Sequence, residues 1–164
     1  MVTNKPNYII GIDPDTSMSG VASLEVSTRK LKLESLALPL LLDYLQFVKR
    51  EKQTAQQQEV IVVVEAGWLN TISNYHTAPS RKGQRISKNV GSNHQVGKMI
   101  VEMCKHYGIP VELMRPLRKI WKGKDGKITQ EELAAFTGIT GRNNQEERDA
   151  ALIAWGWAGL GVRV

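Results

Sequence analysis

The stretch from Tyr8 to Gly20, YIIGIDPDTSMSG, limits what this chain can fold into more than any other. Tyr8-Ile9-Ile10-Gly11-Ile12 is an apolar run that ends on a carboxylate, Asp13, and Pro14 follows at once. Residues apolar on both faces suit a central strand covered by helices, and a proline cannot donate to the ladder, so the strand ends there. Asp13 is thereby held at the carboxyl end of a buried strand, where open α/β sheets place their ligands. The plainer alternative is that Asp13 only starts a turn, as aspartate often does before proline. Gly20-Val21-Ala22-Ser23 resumes as a second strand after a turn through Asp15, Thr16 and Ser17.

The following segments complete a mixed sheet. A second strand over about Met18 to Val26 and a third over about Leu31 to Leu38 flank the polar turn Ser27-Thr28-Arg29-Lys30, giving an antiparallel meander with the first. Pro39 suits the first turn of a helix, along which Leu41, Tyr44, Leu45 and Val48 form an apolar stripe. Val60-Ile61-Val62-Val63-Val64-Glu65 is β-branched without alternation, a strand buried on both faces that again ends on a carboxylate. Residues 66–92 read as a long polar loop holding Trp68, Tyr75, Arg81, Lys82, Arg85 and Lys88, and such a loop in a compact domain is usually functional. A helix from about Ser92 to Tyr107 follows, with Val96, Met99, Ile100, Met103 and Tyr107 on one stripe, ended by Gly108 and Pro110. A short strand, Val111 to Met114, leads into the basic loop RPLRKIWKGKDGK. Thr129 with Glu132 forms the capping box of a helix to Phe136, and a last helix runs from Gln145 to about Ala158.

Composition narrows the class. The 164 residues, 41% hydrophobic and 23% charged, fit one soluble globular domain spanning 1–164. No apolar run is long enough to cross a membrane, and MVTNKPN lacks a signal-peptide core, so a cytoplasmic location is expected. The single Cys104 excludes an internal disulfide and reads as a small buried hydrophobe. His76, His94 and His106 are scattered and read as structural. The net charge of +6 is unevenly spread: 12 lysines and arginines stand against 3 acidic residues between Arg81 and Lys127, and 10 against 13 elsewhere. A basic face on an otherwise mildly acidic domain favours a polyanion, most often nucleic acid.

Helix geometry adds two more acids. Residues three apart lie about 60° from one another around the axis, so Glu146 and Asp149 share a face, while Glu147 points away to solvent. Ala150, Ala151 and Ala154 let this helix lie close to a sheet. Packed beside the first and fourth strands, it would bring Asp13, Glu65, Glu146 and Asp149 together. Each pair of carboxylates at about 4 Å repels by roughly 1 kcal/mol in water and about 4 at an effective dielectric of 20. Such a cluster calls for cations, and all-oxygen donors suit Mg²⁺ or Mn²⁺. Two such ions would support phosphodiester hydrolysis.

GIDPDTSMSG, then VVVEAGW, then QEERDAALIAWG resembles the RuvC-type Holliday junction resolvases of the RNase H-like superfamily, over nearly the whole chain and in order. The resemblance implies an α/β fold with a five-stranded mixed sheet, a three-stranded antiparallel meander plus parallel strands, flanked by helices. It implies Asp13, Glu65, Glu146 and Asp149 as catalytic metal ligands for Mg²⁺, with Mn²⁺ substituting. Trp68 falls where the family carries an aromatic that stacks at the opened junction. Two family lysines near the active site fall on Lys119, taken as catalytic, and Lys127. Arg81, Lys82, Arg85, Lys88, Arg115, Arg118 and Lys122 complete the expected DNA contacts. Asp15 departs from the family's usual glycine, and Glu146 is a glutamate where aspartate or histidine is common.

The expected activity is a metal-dependent endonuclease that resolves four-way DNA junctions in recombination and repair. Symmetric cutting needs two related sites, hence a homodimer. Two alternatives keep the scaffold: a nuclease on RNA–DNA hybrid or branched RNA, and a non-catalytic structure-selective binder. The actin and sugar-kinase ATPases also open on strand-Asp-turn, but they need two such domains.

Overall fold

The computed structural model describes residues 6–69 and 81–161, with residues 81–88 described by their backbone alone. Five strands form one sheet in the order β3-β2-β1-β4-β5. β1 (Tyr8–Asp13), β2 (Ser19–Glu25) and β3 (Lys30–Leu36) are the antiparallel meander; β4 (Val60–Glu65) and β5 (Val111–Met114) run parallel to β1. The chain therefore has the expected α/β mixed sheet flanked by helices. β3 stops two residues before its expected end, because Leu38 and Pro39 already belong to α1 (Leu38–Val48). A π-helical stretch, Lys49–Ala55, extends that helix.

Strand alternation divides the core in two. Ile10, Ile12, Val62 and Val64 point to one face, under α1 and α2 (Arg81–Tyr107), with Leu41, Leu45, Ile100, Val101 and Cys104. Ile9, Ala22, Leu24 and Val63 point to the other, under α3 (Gln130–Thr137) and α4 (Gln145–Trp157), with Leu133, Ala150, Ile153 and Trp155. Each fully buried aliphatic side chain contributes about 1.5–3 kcal/mol of transfer free energy. Cys104 is buried as expected, and burial pushes its thiol up to about 12.

Two expectations about α2 are corrected. The second helix begins at Arg81 rather than near Ser92. RKGQRISKNVGS has two glycines and no continuous apolar stripe, so its sequence signal is weak, although lysine, arginine and glutamine are good helix formers. Met99 is not on the buried stripe: it is 43% exposed, and Ile100, Val101 and Cys104 carry the packing, one turn-position round from the predicted face. Tyr75 and His76 lie outside the described residues. Among the described residues no helix is long and apolar enough to cross a membrane.

α4 lies over β1 and β2 more than over β1 and β4, and two glycines explain how closely. A Cβ on Gly11 would sit 2.8 Å from the Ala154 amide nitrogen, and one on Gly20 would overlap the Glu146 carbonyl. With Ala150, Ala151 and Ala154 opposite, the helix backbone rests directly on the sheet.

Candidate active site

The two strand-end acids are placed by register. Ile12 pairs with Val64 across parallel strands, so Asp13 and Glu65 follow side by side at the carboxyl ends of β1 and β4. They continue the alternation of Ile9, Gly11, Ile61 and Val63, which puts them on the face covered by α4. Across the antiparallel pair, Asp13 is opposite Gly20, the residue against which the Glu146 backbone rests. The first turns of α4 therefore arrive beside Asp13 with Glu146 and Asp149.

Electrostatics register the convergence. Asp13 is pushed up to about 9, first by burial and then by the charges of Glu65, Asp149 and Glu146, with Lys127 opposing. Glu65 is raised by burial and by Asp149, opposed by Lys127 and Lys119. Asp149 is raised by burial, with a Gln145 hydrogen bond and Lys127 pulling it down and Glu146 pushing it up. Of the two lysines expected near the acids, Lys127 acts on all three of these carboxyls and Lys119 on Glu65 alone.

Does the donor set suit a metal? Its chemistry does: all ligands are carboxylate oxygens, and their mutual repulsion is the charge that a divalent cation relieves. The side chains as they stand are spread, for among the described residues no three His, Cys, Asp or Glu groups close on a common metal position. A consequence for stability follows. Carboxyls whose folded pKa is raised bind protons more tightly folded than unfolded, so stability is greatest below the ordinary carboxylate pKa and falls as pH climbs toward about 9. Metal-free protein is therefore expected to melt higher at pH 5 than at pH 8. Mg²⁺ should raise the melting temperature at pH 8 and have little effect at pH 5, as calorimetric scans would show.

The turn after Asp13 is fixed by local hydrogen bonds. Ser17 N donates to Asp15 Oδ1 at 2.8 Å, Asp15 N donates to Ser19 Oγ at 3.1 Å, and Thr16 N donates to Asn93 Oδ1 at 3.0 Å, which ties the turn to α2. Asp15 thus does its work within the turn. Trp68 lies in the single helical turn Gly67–Leu69 after β4 and is half-buried. Its ring crowds Gly97, where a Cβ would meet Trp68 Cζ3 at 2.6 Å and Pro14 Cγ at 3.2 Å. His94 meets the indole edge-on at 6.1 Å, and Lys98 Nζ stands 5.9 Å from the ring. Burial and then Lys98 lower the His94 pKa, which favours a neutral imidazole.

Arg115, Arg118, Lys119 and Lys122 are exposed on the β5–α3 connection, while Lys127 is half-buried nearer the acids. Arg81, Lys82, Arg85 and Lys88 fall in the first turns of α2, and their side chains lie outside the described residues. Sequence reasoning missed Gln145, whose Nε2 donates to Asp149 Oδ1 at 2.9 Å and to the Ile128 carbonyl at 3.2 Å. It also sent Glu147 to solvent. Instead Glu147 accepts from Asn144 N at 3.0 Å while Asn144 Oδ1 accepts from Glu147 N, a capping box like that of Thr129 and Glu132. The N-x-x-E spacing at Asn144 was the available signal. Two surface hollows, one lined by Gln46, Lys49, Arg50, Thr54 and Tyr107 and one between Arg29 and Thr140, contain none of the acids.

No family model matches the chain, and no curated protein matches it. Among solved structures it is similar to T. thermophilus RuvC in complex with a Holliday junction substrate, at 15% identity and a TM-score of 0.51. The match covers 90% of this chain and 89% of that one, which establishes the RuvC-like, RNase H-like fold.

Proposed function

We propose that this protein is a metal-dependent endonuclease that resolves four-way DNA junctions by paired, symmetric phosphodiester hydrolysis, acting as a homodimer. The observation that carries the reading is the mutual electrostatic influence of Asp13, Glu65, Glu146 and Asp149, from two strand ends and one helix, with Lys127 acting on three of them. The fold shared with a structure solved on a Holliday junction supports the choice of substrate.

In this reading the four acids would hold Mg²⁺, or Mn²⁺ in its place. When bound, such an ion supplies a Lewis acid that activates water and offsets charge on the phosphate. The chain's own residues do the rest. Asp13 and Glu65 are half-buried at adjacent strand ends, which fixes the direction of their carboxylates while leaving them open to a substrate. Lys127, with Lys119 further out, keeps positive charge at the rim of the acid cluster, where a scissile phosphate would otherwise be repelled. Arg115, Arg118 and Lys122 extend that charge along the backbone of the DNA, and Arg81, Lys82, Arg85 and Lys88 are proposed to continue it.

Trp68 has the amphipathic setting of a stacking residue: one edge rests on α2 at Gly97, and a cation stands near its ring. A base stacked on an aromatic is worth about 1–3 kcal/mol. Trp68→Ala is accordingly expected to weaken junction opening, read by 2-aminopurine fluorescence at the crossover, by about 5- to 150-fold. Duplex affinity should change little. Equal losses on both substrates would remove the stacking role.

The reading is tested by incubating labelled substrates with Mg²⁺ or Mn²⁺: a mobile four-way DNA junction, the matching duplex and an RNA–DNA hybrid. Paired nicks at symmetric positions, confined to the junction, are expected. Cutting of the hybrid with an intact junction would keep the metal site and overturn the substrate. Tight junction binding without cleavage at any metal concentration would leave a binding protein.

A further inference from the structure

The basic connection between β5 and α3 is hydrogen-bonded to α4 through the Ile128 carbonyl, and one of the two donors also touches the acid cluster. Trp121 N donates to Gly126 O at 2.9 Å and Gly123 N to Lys127 O at 2.9 Å, closing the segment into a compact turn. The chain then buries Ile128 completely. The Ile128 carbonyl accepts two side-chain hydrogen bonds, from Gln145 Nε2 at 3.2 Å and from Arg148 Nε at 3.1 Å. Arg148 is in turn held by Asn143, through its carbonyl and Oδ1 at 2.9 Å each, and by Gln145 Oε1 at 3.1 Å. The same Gln145 Nε2 donates to Asp149 Oδ1 at 2.9 Å. One amide nitrogen therefore links the acid on α4 to the backbone one residue beyond Lys127.

α4 has other supports. Its N-terminus is already capped by Asn144 and Glu147, and its packing rests on the alanines and on Ile153 and Trp155. Gln145, at the first position of the helix, is free to serve another end. A side chain that bonds two partners belonging to separate segments fixes their relative position, and a displacement of about 1 Å at a reacting centre can cost about 10²-fold in rate.

We propose that Gln145 is a positioning residue that locks the Lys127 segment to Asp149, so that the lysine and the carboxylate are presented to the phosphate as one unit. This rests on the nuclease reading for its catalytic consequence, but the lock itself does not. Gln145→Leu roughly keeps the volume and removes both the donor to Ile128 and Asp149 and the acceptor that holds Arg148. In metal-free protein, amide exchange at Lys127 and Gly123 should quicken about tenfold while β1 and β4 keep their protection. Single-turnover junction cleavage should slow about tenfold with junction affinity changed less than twofold. In a Lys127→Ala background the same substitution should slow cleavage less than twofold, because the lysine it positions is gone.

Unchanged exchange at Lys127 and Gly123 would overturn the lock, whatever happens to cleavage. Quickened exchange with a full, additive loss in the Lys127→Ala background would overturn its action through the lysine. If the unsubstituted protein cuts nothing in the substrate panel, the nuclease reading fails on its own, and exchange still decides the lock.

Discussion

Asp13→Asn should lower junction cleavage by about 10³-fold or more while leaving junction binding intact or tighter. The magnitude follows from what Asp13 contributes: it is the most charge-crowded acid of the cluster, acted on by Glu65, Asp149 and Glu146. Removing one group that stabilises charge at a reacting centre typically costs about 10²–10³. An acid that also helps hold the cation should cost more. Binding should survive because the substitution removes a negative charge from the surface that meets phosphate. The same variant should be more stable without metal. An asparagine is isosteric with the carboxyl and relieves repulsion, so at pH 8 its metal-free melting temperature should rise by about 3–8 °C, corresponding to about 1–2 kcal/mol or slightly more. Full cleavage by Asp13→Asn would remove the carboxylate assignment. Loss of both binding and stability would mean that the side chain holds the fold together.

Gly20→Ala should be the most damaging glycine-to-alanine substitution among the described residues. Its Cβ would overlap the carbonyl of Glu146, and backbone cannot swing aside as a side chain does. The helix must lift from the sheet, taking Glu146 and Asp149 with it. We expect a loss of about 3 kcal/mol or more, seen as a fall of about 6–12 °C in melting temperature. Cleavage should fall with it even under conditions where the variant is folded. Gly156→Ala is the matched control: it lies in the same helix with nothing within 4 Å of the added carbon. Alanine is favoured over glycine inside a helix by about 1 kcal/mol, so that variant should be neutral or slightly stabilised. A Gly20→Ala protein with normal stability and activity would show that α4 does not rest on the sheet as closely as described.

The sequence spoke most clearly where burial leaves few options. YIIGID and VIVVVE read as central strands, because β-branched apolar runs without alternation suit burial on both faces, and each run ended on an acid, which such a strand carries at its carboxyl end. Glu146 and Asp149 were legible from helical spacing, and the alanines that follow foretold a close approach. The partner surface for that approach was not drawn out: Gly11 and Gly20 each stand alone in the sequence, and only register brings them beneath one helix. The start of α2 was hidden because its first turns carry cations and glycine in place of an apolar stripe. Met99 was misassigned for a related reason, since a stripe of Val96, Ile100 and Met103 reads nearly as well one position to the side. Gln145 was invisible in principle: its partners, Ile128 and Asp149, are an amide carbonyl and an acid whose closeness depends on how the β5–α3 connection turns. The long basic stretch announced its charge but not its shape. Of its six basic residues, Lys127 and Lys119 act on the acids; charge and spacing alone did not single them out, and the family resemblance did.

The central claim is that the four acids form one cation site. It is tested most directly by crystals soaked in Mn²⁺ and measured at a wavelength where manganese scatters anomalously. The account predicts anomalous density between Asp13 and its neighbours Glu65, Glu146 and Asp149, with the carboxylates drawn inward, and no density there in Asp13→Asn crystals. Crystals of the unsubstituted protein with manganese at other surface acids, and none at Asp13, would contradict it.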